Sequence, residues 1–360
     1  MSLASKFQKL EDAYRSGNAL FITYNFNRGI RKHMAKIFVR TTAEERVWEK
    51  RHILSQTSRY LASNVLEKIK VDDGYRIKVE TVEKKLGTCT GYILDIGSNT
   101  AGECEYLVTK GYLLIATDIN EYALGLSKKR CKIFLRPSPD YAACDAANLP
   151  FSSDSIDHVV FNESLHHIPE PQMAINEAAR VLKPGGKLIM FEPYAYDPWR
   201  RLSEIRDYFK GTIETSFTET QVRNFLKVAG LNLTSLTRPV LPPSRTKLNS
   251  LPIYHRLIRT LYSQVKERFP AWLGMILCEA EKPGTLQMGG SISSFESLLV
   301  CPKTKAHVAL VSDRFISVGR NTGFAYPVVD GIPVLIASEA YSISDAEWVA
   351  AIQHSEIIGV

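Results

Sequence analysis

The run Tyr92-Ile93-Leu94-Asp95-Ile96-Gly97-Ser98-Asn99-Thr100-Ala101-Gly102-Glu103 constrains the fold more than any other stretch of the chain. Apolar residues lead into an aspartate, followed by a small-residue turn and residues able to begin a helix. That order predicts a buried parallel strand, a tight loop and a helix N-terminus. A second strand, Gly111 to Asp118, also ends in a carboxylate, 23 residues after Asp95. In an open α/β sheet, ligands sit in the crevice beyond the carboxyl ends of the strands. A carboxylate at the position of Asp118 can accept both hydroxyls of a ribose, so the two strands together predict a nucleoside-bearing ligand.

The loop narrows the choice of nucleoside. Gly97 to Gly102 follows the dinucleotide pattern G-x-G-x-x-G except that Asn99 replaces the middle glycine. A side chain there obstructs the approach of backbone to a pyrophosphate, and Asp95 adds negative charge nearby. A ligand with a cationic end and no phosphate suits such a loop, and S-adenosylmethionine has that character. Asn99 tolerates positive φ better than most non-glycine residues. Without a ligand the same stretch is a structural strand–turn–helix, and the loop alone leaves both readings open.

A chain of 360 residues has room for two or three domains and a substantial core. Its 45% hydrophobic and 23% charged residues are ordinary for a globular protein. No window approaches 18 uninterrupted apolar residues, so no membrane span is expected. The stretch Met1–Gly17 lacks the apolar centre of a signal peptide, and a cytoplasmic location is the expectation. The net charge of +7 is compatible with anionic partners without demanding them. Six cysteines (Cys89, Cys104, Cys131, Cys144, Cys278 and Cys301) form no C-x-x-C pair. Free thiols are therefore expected rather than disulfides or a metal cluster.

Residues 1–86 contain no proline and read as an N-terminal helical cap. Apolar residues from Glu44 to Ile69 recur close to a helical stripe. The segment Arg28–Arg40 forms a basic amphipathic helix in this reading; it faces phosphate, a membrane surface or, more commonly, plain solvent. From 87 to 284 the pattern alternates. Strands are predicted at 92–96, 112–118, 141–144, 157–162, 186–192, 231–237 and 273–281, and helices near 102–110, 120–130, 171–182 and 218–229. Lys183-Pro184-Gly185-Gly186 reads as a punctuating turn. The fold class expected is α/β, a Rossmann-like doubly wound and mostly parallel sheet. An insertion at about 239–270, a small β-rich domain at 285–340 and a tail at 341–360 complete the division.

Three further runs carry a resemblance. They are Cys144 to Phe151, Ser155 to Ile168 (SIDHVVFNESLHHI) and Arg180 to Leu188 (RVLKPGGKL). Together with the loop they resemble the class I S-adenosylmethionine-dependent methyltransferases over roughly residues 90–282. The resemblance implies that Asp95, Gly97 and the backbone of Ser98 and Asn99 hold the methionine end of the cofactor. It implies that Asp118 takes the ribose, that Ile119 packs on the adenine and that Asp145 with Ala146 reads the adenine amino group. Asn162 and Glu163 fall where the fourth strand ends, facing the methyl group. A base is needed only if the acceptor is a hydroxyl or a carbon acid. Glu163 and His166 are the candidates for it, and His167 is a third catalytic candidate better suited to a structural role. No Asn-Pro-Pro-Tyr follows the fourth strand, which disfavours the usual amide and base-amino methylases. Tyr194, Tyr196, Trp199 and, from the insertion, Tyr254 are expected to shape the acceptor pocket.

Near the C-terminus, Leu298 to Thr304 and Gly323 to Leu335 resemble the small zinc-ribbon-like activator family of tRNA and protein methyltransferases. Thr304 stands where that family's second cysteine would be. Four ligands are needed for structural zinc, so a β-rich domain without metal is expected. The sequence thus predicts an S-adenosylmethionine-dependent methyltransferase acting on a small molecule or a sugar- or lipid-linked intermediate, with O-methylation preferred. A tRNA- or protein-modifying enzyme and a catalytically silent partner subunit are the alternatives, and tRNA is the less favoured partner.

Overall fold

The structure is a computed structural model that describes residues 46, 50–197, 200, 216–239, 274–286, 294–319 and 323–358. The expected basic helix at 28–40, Trp199, and the insertion with Tyr254 lie outside the described residues. The described residues, from Arg46 onward, belong to one compact unit.

Three short helices lead in: α1 (Thr57–Ala62), α2 (Val65–Val71) and α3 (Asp73–Leu86). The stripe from Glu44 to Ile69 is therefore not one helix, and capping chemistry explains the break. Asn64 accepts the N–H of Glu67 at 3.2 Å, and Asp72 accepts that of Tyr75 at 3.1 Å. Each side chain satisfies an otherwise unpaired first-turn donor and so starts a new helix.

The alternating part follows as β1 (Tyr92–Ile96), α4 (Gly102–Thr109), β2 (Leu113–Asp118), α5 (Glu121–Ile133), β3 (Asp140–Cys144) and β4 (Ile156–Asn162). Next come α6 (Pro171–Val181), β5 (Leu182–Pro193), α7 (Glu219–Val228), β6 (Asn232–Thr237) and β7 (Met275–Glu281). The C-terminal part adds β8 (Val308–Val311), β9 (Arg314–Ser317), β10 (Phe324–Val329), β11 (Ile332–Leu335), β12 (Tyr341–Ser342) and α8 (Asp345–Ile358). Lys183 to Gly186, expected as a turn, lies inside β5. The pairing of β4 with β5 shifts register between Ile156 and His158, and this irregularity accommodates the glycines.

The strands follow the order β6-β7-β5-β4-β1-β2-β3-β11-β10-β9-β8. Strands β1 to β5 are mutually parallel, whereas β7 runs antiparallel to both β5 and β6. β1 lies between β2 and β4, with Leu94 opposite Ile115 on one side and Val159 on the other. Successive strand residues point to opposite faces, so this sheet feeds two cores. One gathers Leu94, Val159, Phe161 and Met190 with α6 and α7. The other gathers Ile93, Val160, Ile189 and Phe191 with Val79, Val82 and Leu86 of α3.

The small C-terminal region is sewn onto this sheet. β11 pairs in parallel with β3, Val334 opposite Ala143 and Leu335 opposite Cys144. Val334 joins the second core and Leu335 the first, so both faces of the sheet continue into the C-terminal strands. An exposed edge at β3 would invite association with other chains; β11 closes it. Because Val334 is fully buried, Val334→Asp should destabilise the protein by about 3 kcal/mol or more, as an unpaired buried charge does. Denaturant unfolding followed by two probes should show one transition for the wild type; two separate transitions would mean that the C-terminal strands are an independent domain.

Candidate active site

The carboxyl ends of β1, β2 and β4 converge, and the loop after β1 is built to fit between them. Gly97 has φ 73°, and a Cβ placed there would lie 2.6 Å from the Cβ of Ser164 at the tip of β4. Glycine is required at this position by backbone conformation and by close approach alike. Asn99 and Ala101 also adopt left-handed φ values of 50° and 48°. The asparagine is suited to that conformation; the alanine costs energy that the surrounding contacts must supply.

Those contacts centre on Arg130, whose guanidinium is almost wholly buried. It donates to the carbonyls of Thr100 in the loop and Tyr60 in α1, and pairs with Glu105 of α4. One cation thus holds the loop, α4 and the lead-in helices together. Removing a single partner from a buried ion pair leaves an uncompensated charge, which is more costly than never having had the pair.

The predicted cofactor residues separate into two groups. The first encloses a small cavity lined by Asp95, Glu103 and Asn162, with Val79 and Val82 of α3 forming its apolar wall. Asp95 accepts a hydrogen bond from the Cys104 thiol at 2.9 Å, and burial pushes its carboxyl up to about 7. The buried Oδ1 of Asn162 and the Oγ of Ser164 have no hydrogen-bond partner among the described residues. The second group faces the end of β2. Asp118 accepts the N–H of Asn99 at 2.8 Å and that of Asn120 at 2.9 Å, while Ile119 is partly exposed beside it. Asp145 accepts the N–H of Ala147 at 2.9 Å, and both Asp145 and Ala146 remain partly exposed.

The resemblance gave the backbone of Ser98 and Asn99 to the methionine end of the ligand. In the structure the Ser98 N–H donates to the Thr117 carbonyl at 2.8 Å, and the Asn99 N–H is held by Asp118. The loop closes on β2 through these two bonds, which engage the N–H groups of Ser98 and Asn99. Tyr194, expected in the acceptor pocket, is buried in the core, edge-on to Tyr196 with ring centroids 5.4 Å apart.

At the tip of β4, Glu163 has φ 55°, a strained conformation for a side chain of its size. Its carboxylate pairs with Lys78 of α3 at 2.6 Å. Burial would raise the Glu163 carboxyl, but the Lys78 ammonium outweighs it and holds the group below its ordinary range. A carboxylate so stabilised is a weak base. His166 is placed differently. Its Nδ1 lies 2.7 Å from Glu192 Oε2, and Glu192 Oε1 accepts the N–H groups of Ser164 and Leu165 at 3.0 and 2.8 Å. Burial pushes the Glu192 carboxyl up to about 8 against the pull of those two N–H groups. His167 is exposed, with its ring centroid 4.0 Å from that of His166.

Four side chains that meet at this site were given no individual role from the sequence: Lys78, Glu103, Cys104 and Glu192. Glu192 ends β5 beside the tip of β4, a position that strand pairing makes predictable. Lys78 has no local signal, being one of several lysines on a polar-looking helix. Among the described residues, no three of His, Cys, Asp and Glu cluster to hold a metal ion. Cys301 lies buried 3.1 Å from the Tyr326 hydroxyl.

The cavity at β1 and β4 presents acceptors, Asp95, Glu103 and the orphaned Asn162 oxygen, and Glu163 follows Asn162 in the chain. Such a set fits the cationic methionine end of S-adenosylmethionine and would repel a pyrophosphate. Residues 94–190 match the family described as Methyltransferase domain. The chain is 34% identical over 117 residues to a demethylmenaquinone methyltransferase of Paenarthrobacter aurescens, covering 32% of this chain and 43% of that protein. It is 25% identical to methyltransferase GfsG of Streptomyces halstedii, covering 57% and 79%. It is 40% identical over 76 residues to the ubiquinone/menaquinone biosynthesis C-methyltransferase UbiE of Bartonella bacilliformis, covering 21% and 29%. The chain spans about half the length of the first curated relatives it matches. Among solved structures, a putative methyltransferase from Bacillus halodurans aligns with TM-score 0.43 at 18% identity, covering 57% of this chain and 98% of that one. Residues 94–190 therefore carry a methyltransferase domain, and the methyl donor of that domain is S-adenosylmethionine.

Asp95 gives a pH signature that needs no ligand. An unfolded aspartate loses its proton near 3.8, whereas the buried carboxyl keeps it until about 7. Between those values the folded state binds more protons, so this group lowers stability as pH rises. Asp95→Asn should remove that slope. Thermal denaturation at pH 4.5 and 7.5 should show the variant gaining on the wild type at the higher pH; parallel changes in both proteins would contradict the assignment.

Proposed function

We propose that the whole chain is an S-adenosylmethionine-dependent methyltransferase whose small-molecule acceptor must give up a proton. The observation that carries this reading is the buried His166–Glu192 pair beside the tip of β4. Once Glu192 is ionised, above about pH 8, it accepts Nδ1–H, and the lone pair of His166 then belongs to Nε2, the nitrogen that takes a proton from an acceptor hydroxyl. Glu192 holds the ring in that tautomer and, through two backbone N–H groups, holds the turn that carries it. S-adenosylmethionine supplies a methyl carbon bonded to positive sulfur. The protein's task is to place an oxyanion in line with that carbon, at about 3 Å.

Asp95, Gly97, Asn162 and the loop backbone at Ser98 and Asn99 form the methionine end of the pocket. Asp118 and Ile119 take the ribose and one face of the adenine, and Asp145 with Ala146 its amino edge. A phenolic or enolic hydroxyl fits the base best, and transfer to that oxygen is the first reading. Transfer to the ring carbon that the oxyanion activates is the second. It is favoured by the C-methylation named for the Bartonella relative and by the demethylmenaquinone substrate named for others. The C-terminal region resembling the zinc-ribbon-like activators serves here as a built-in stabiliser of the β3 edge.

Incubation with labelled methyl donor and a panel of phenolic and quinol acceptors tests the reading, and proton NMR separates O-methyl from C-methyl product. His166→Ala should lower kcat by about 10²–10⁴-fold while leaving the calorimetric affinity for S-adenosylmethionine unchanged. Full activity in that variant removes His166 as the base. Asp118→Ala should weaken cofactor binding by about 1.5–3 kcal/mol for each charge-assisted bond lost. Label entering total tRNA rather than small acceptors would reverse the choice of substrate class.

A further inference from the structure

The helix α3 buries Gly74, Lys78, Val79, Val82 and Leu86 on one face. Four of these are small or aliphatic and need no explanation; a lysine among them does. A buried ammonium is costly unless it is paired, and Lys78 is paired twice. Its Nζ lies 2.6 Å from Glu163 Oε2 and 3.1 Å from Glu103 Oε1. Glu103 lines the cavity that also presents Asp95 and the unpartnered Asn162 oxygen, and Glu163 is the residue after Asn162. The third neighbour is the Tyr75 ring, whose centroid is 5.4 Å from the ammonium. The surroundings of Lys78 therefore comprise carboxylates and the face of an aromatic ring, the environment that suits an alkylammonium.

That environment is also the one the methionine end of the cofactor requires. We propose that Lys78 is a specificity-determining residue: its ammonium fills the carboxylate-lined position that the α-ammonium of S-adenosylmethionine takes, and the two exchange. This inference rests on the methyltransferase reading above. A ligand with its own ammonium replaces the charge it displaces, so the carboxylates stay compensated as Lys78 moves off Glu103. A nucleoside without an ammonium makes no such exchange and leaves Lys78 in place. The internal cation thus selects for the amino-acid end of the cofactor at a cost in its apparent affinity, because only the fraction of molecules with Lys78 withdrawn is competent to bind.

Two probes separate the charge exchange from general binding. S-adenosylhomocysteine carries the amino-acid end, and 5′-methylthioadenosine has the same nucleoside without it. In Lys78→Met, calorimetry should show S-adenosylhomocysteine binding about tenfold tighter, as expected if Lys78 is withdrawn about one-tenth of the time. The affinity for 5′-methylthioadenosine should stay the same. Unchanged or weaker binding of S-adenosylhomocysteine, or an equal change for both ligands, overturns the proposal. Lys78→Gln keeps a hydrogen-bonding end between the two carboxylates and gives the same comparison if the methionine variant does not fold. A second measurement uses the wild type alone: amide exchange over residues 73–86 should quicken when S-adenosylhomocysteine binds, and slower exchange there overturns the exchange. A wild type that binds neither S-adenosylmethionine nor S-adenosylhomocysteine removes the methyltransferase reading together with this one.

Discussion

Parallel pairing of β1 between β2 and β4 is the constraint on which everything else in the site depends. Parallel strands deliver their carboxyl ends to the same edge, so Asp95, Asp118 and Asn162 emerge side by side although they are far apart in sequence. The pairing also forces the loop after β1 against the turn after β4. Only a glycine at position 97 lets the two backbones come so close. The strained residues Asn99, Ala101 and Glu163 cluster around this junction, where closely packed neighbours can hold conformations that an isolated chain would leave.

Charge organises the same junction at two depths. Arg130 and Glu105 lie in the interior and fasten the loop from behind. Lys78, Glu103 and Glu163 lie at the front, where Glu163 keeps part of its surface in water. A buried pair such as the first adds little net stability over an apolar replacement, but it fixes geometry because either partner alone is costly. The second set is able to change partners. The difference follows from access: a cation that can be replaced by another cation need not leave any carboxylate bare.

The C-terminal strands solve a separate problem. A twisted sheet of parallel strands ends in an open edge, and β11 fills it with residues that extend both cores. The result is continuity between two parts of the chain whose compositions look unrelated.

The order of elements from 92 to 281 was legible in the sequence because apolar runs and turn residues recur at the periods of strand and helix. The loop, its acidic neighbours at 95 and 118, and the preference for a cationic ligand were legible as well, since each depends on residues adjacent in the chain. Tertiary structure alone decided the rest. Glu192 meets His166 only because β5 pairs with β4, and Lys78 reaches Glu163 only because α3 folds over the sheet from 85 residues away. The anchoring of the loop to β2 through the N–H groups of Ser98 and Asn99 depends on strand pairing and left no mark in the local sequence. The stripe at 44–69 looked like a single helix because hydrophobic periodicity does not register the competing cap at Asn64. Local pattern records what a segment can form; which side chains share a pocket depends on strand order and register, and these are set by contacts between segments that no local window contains.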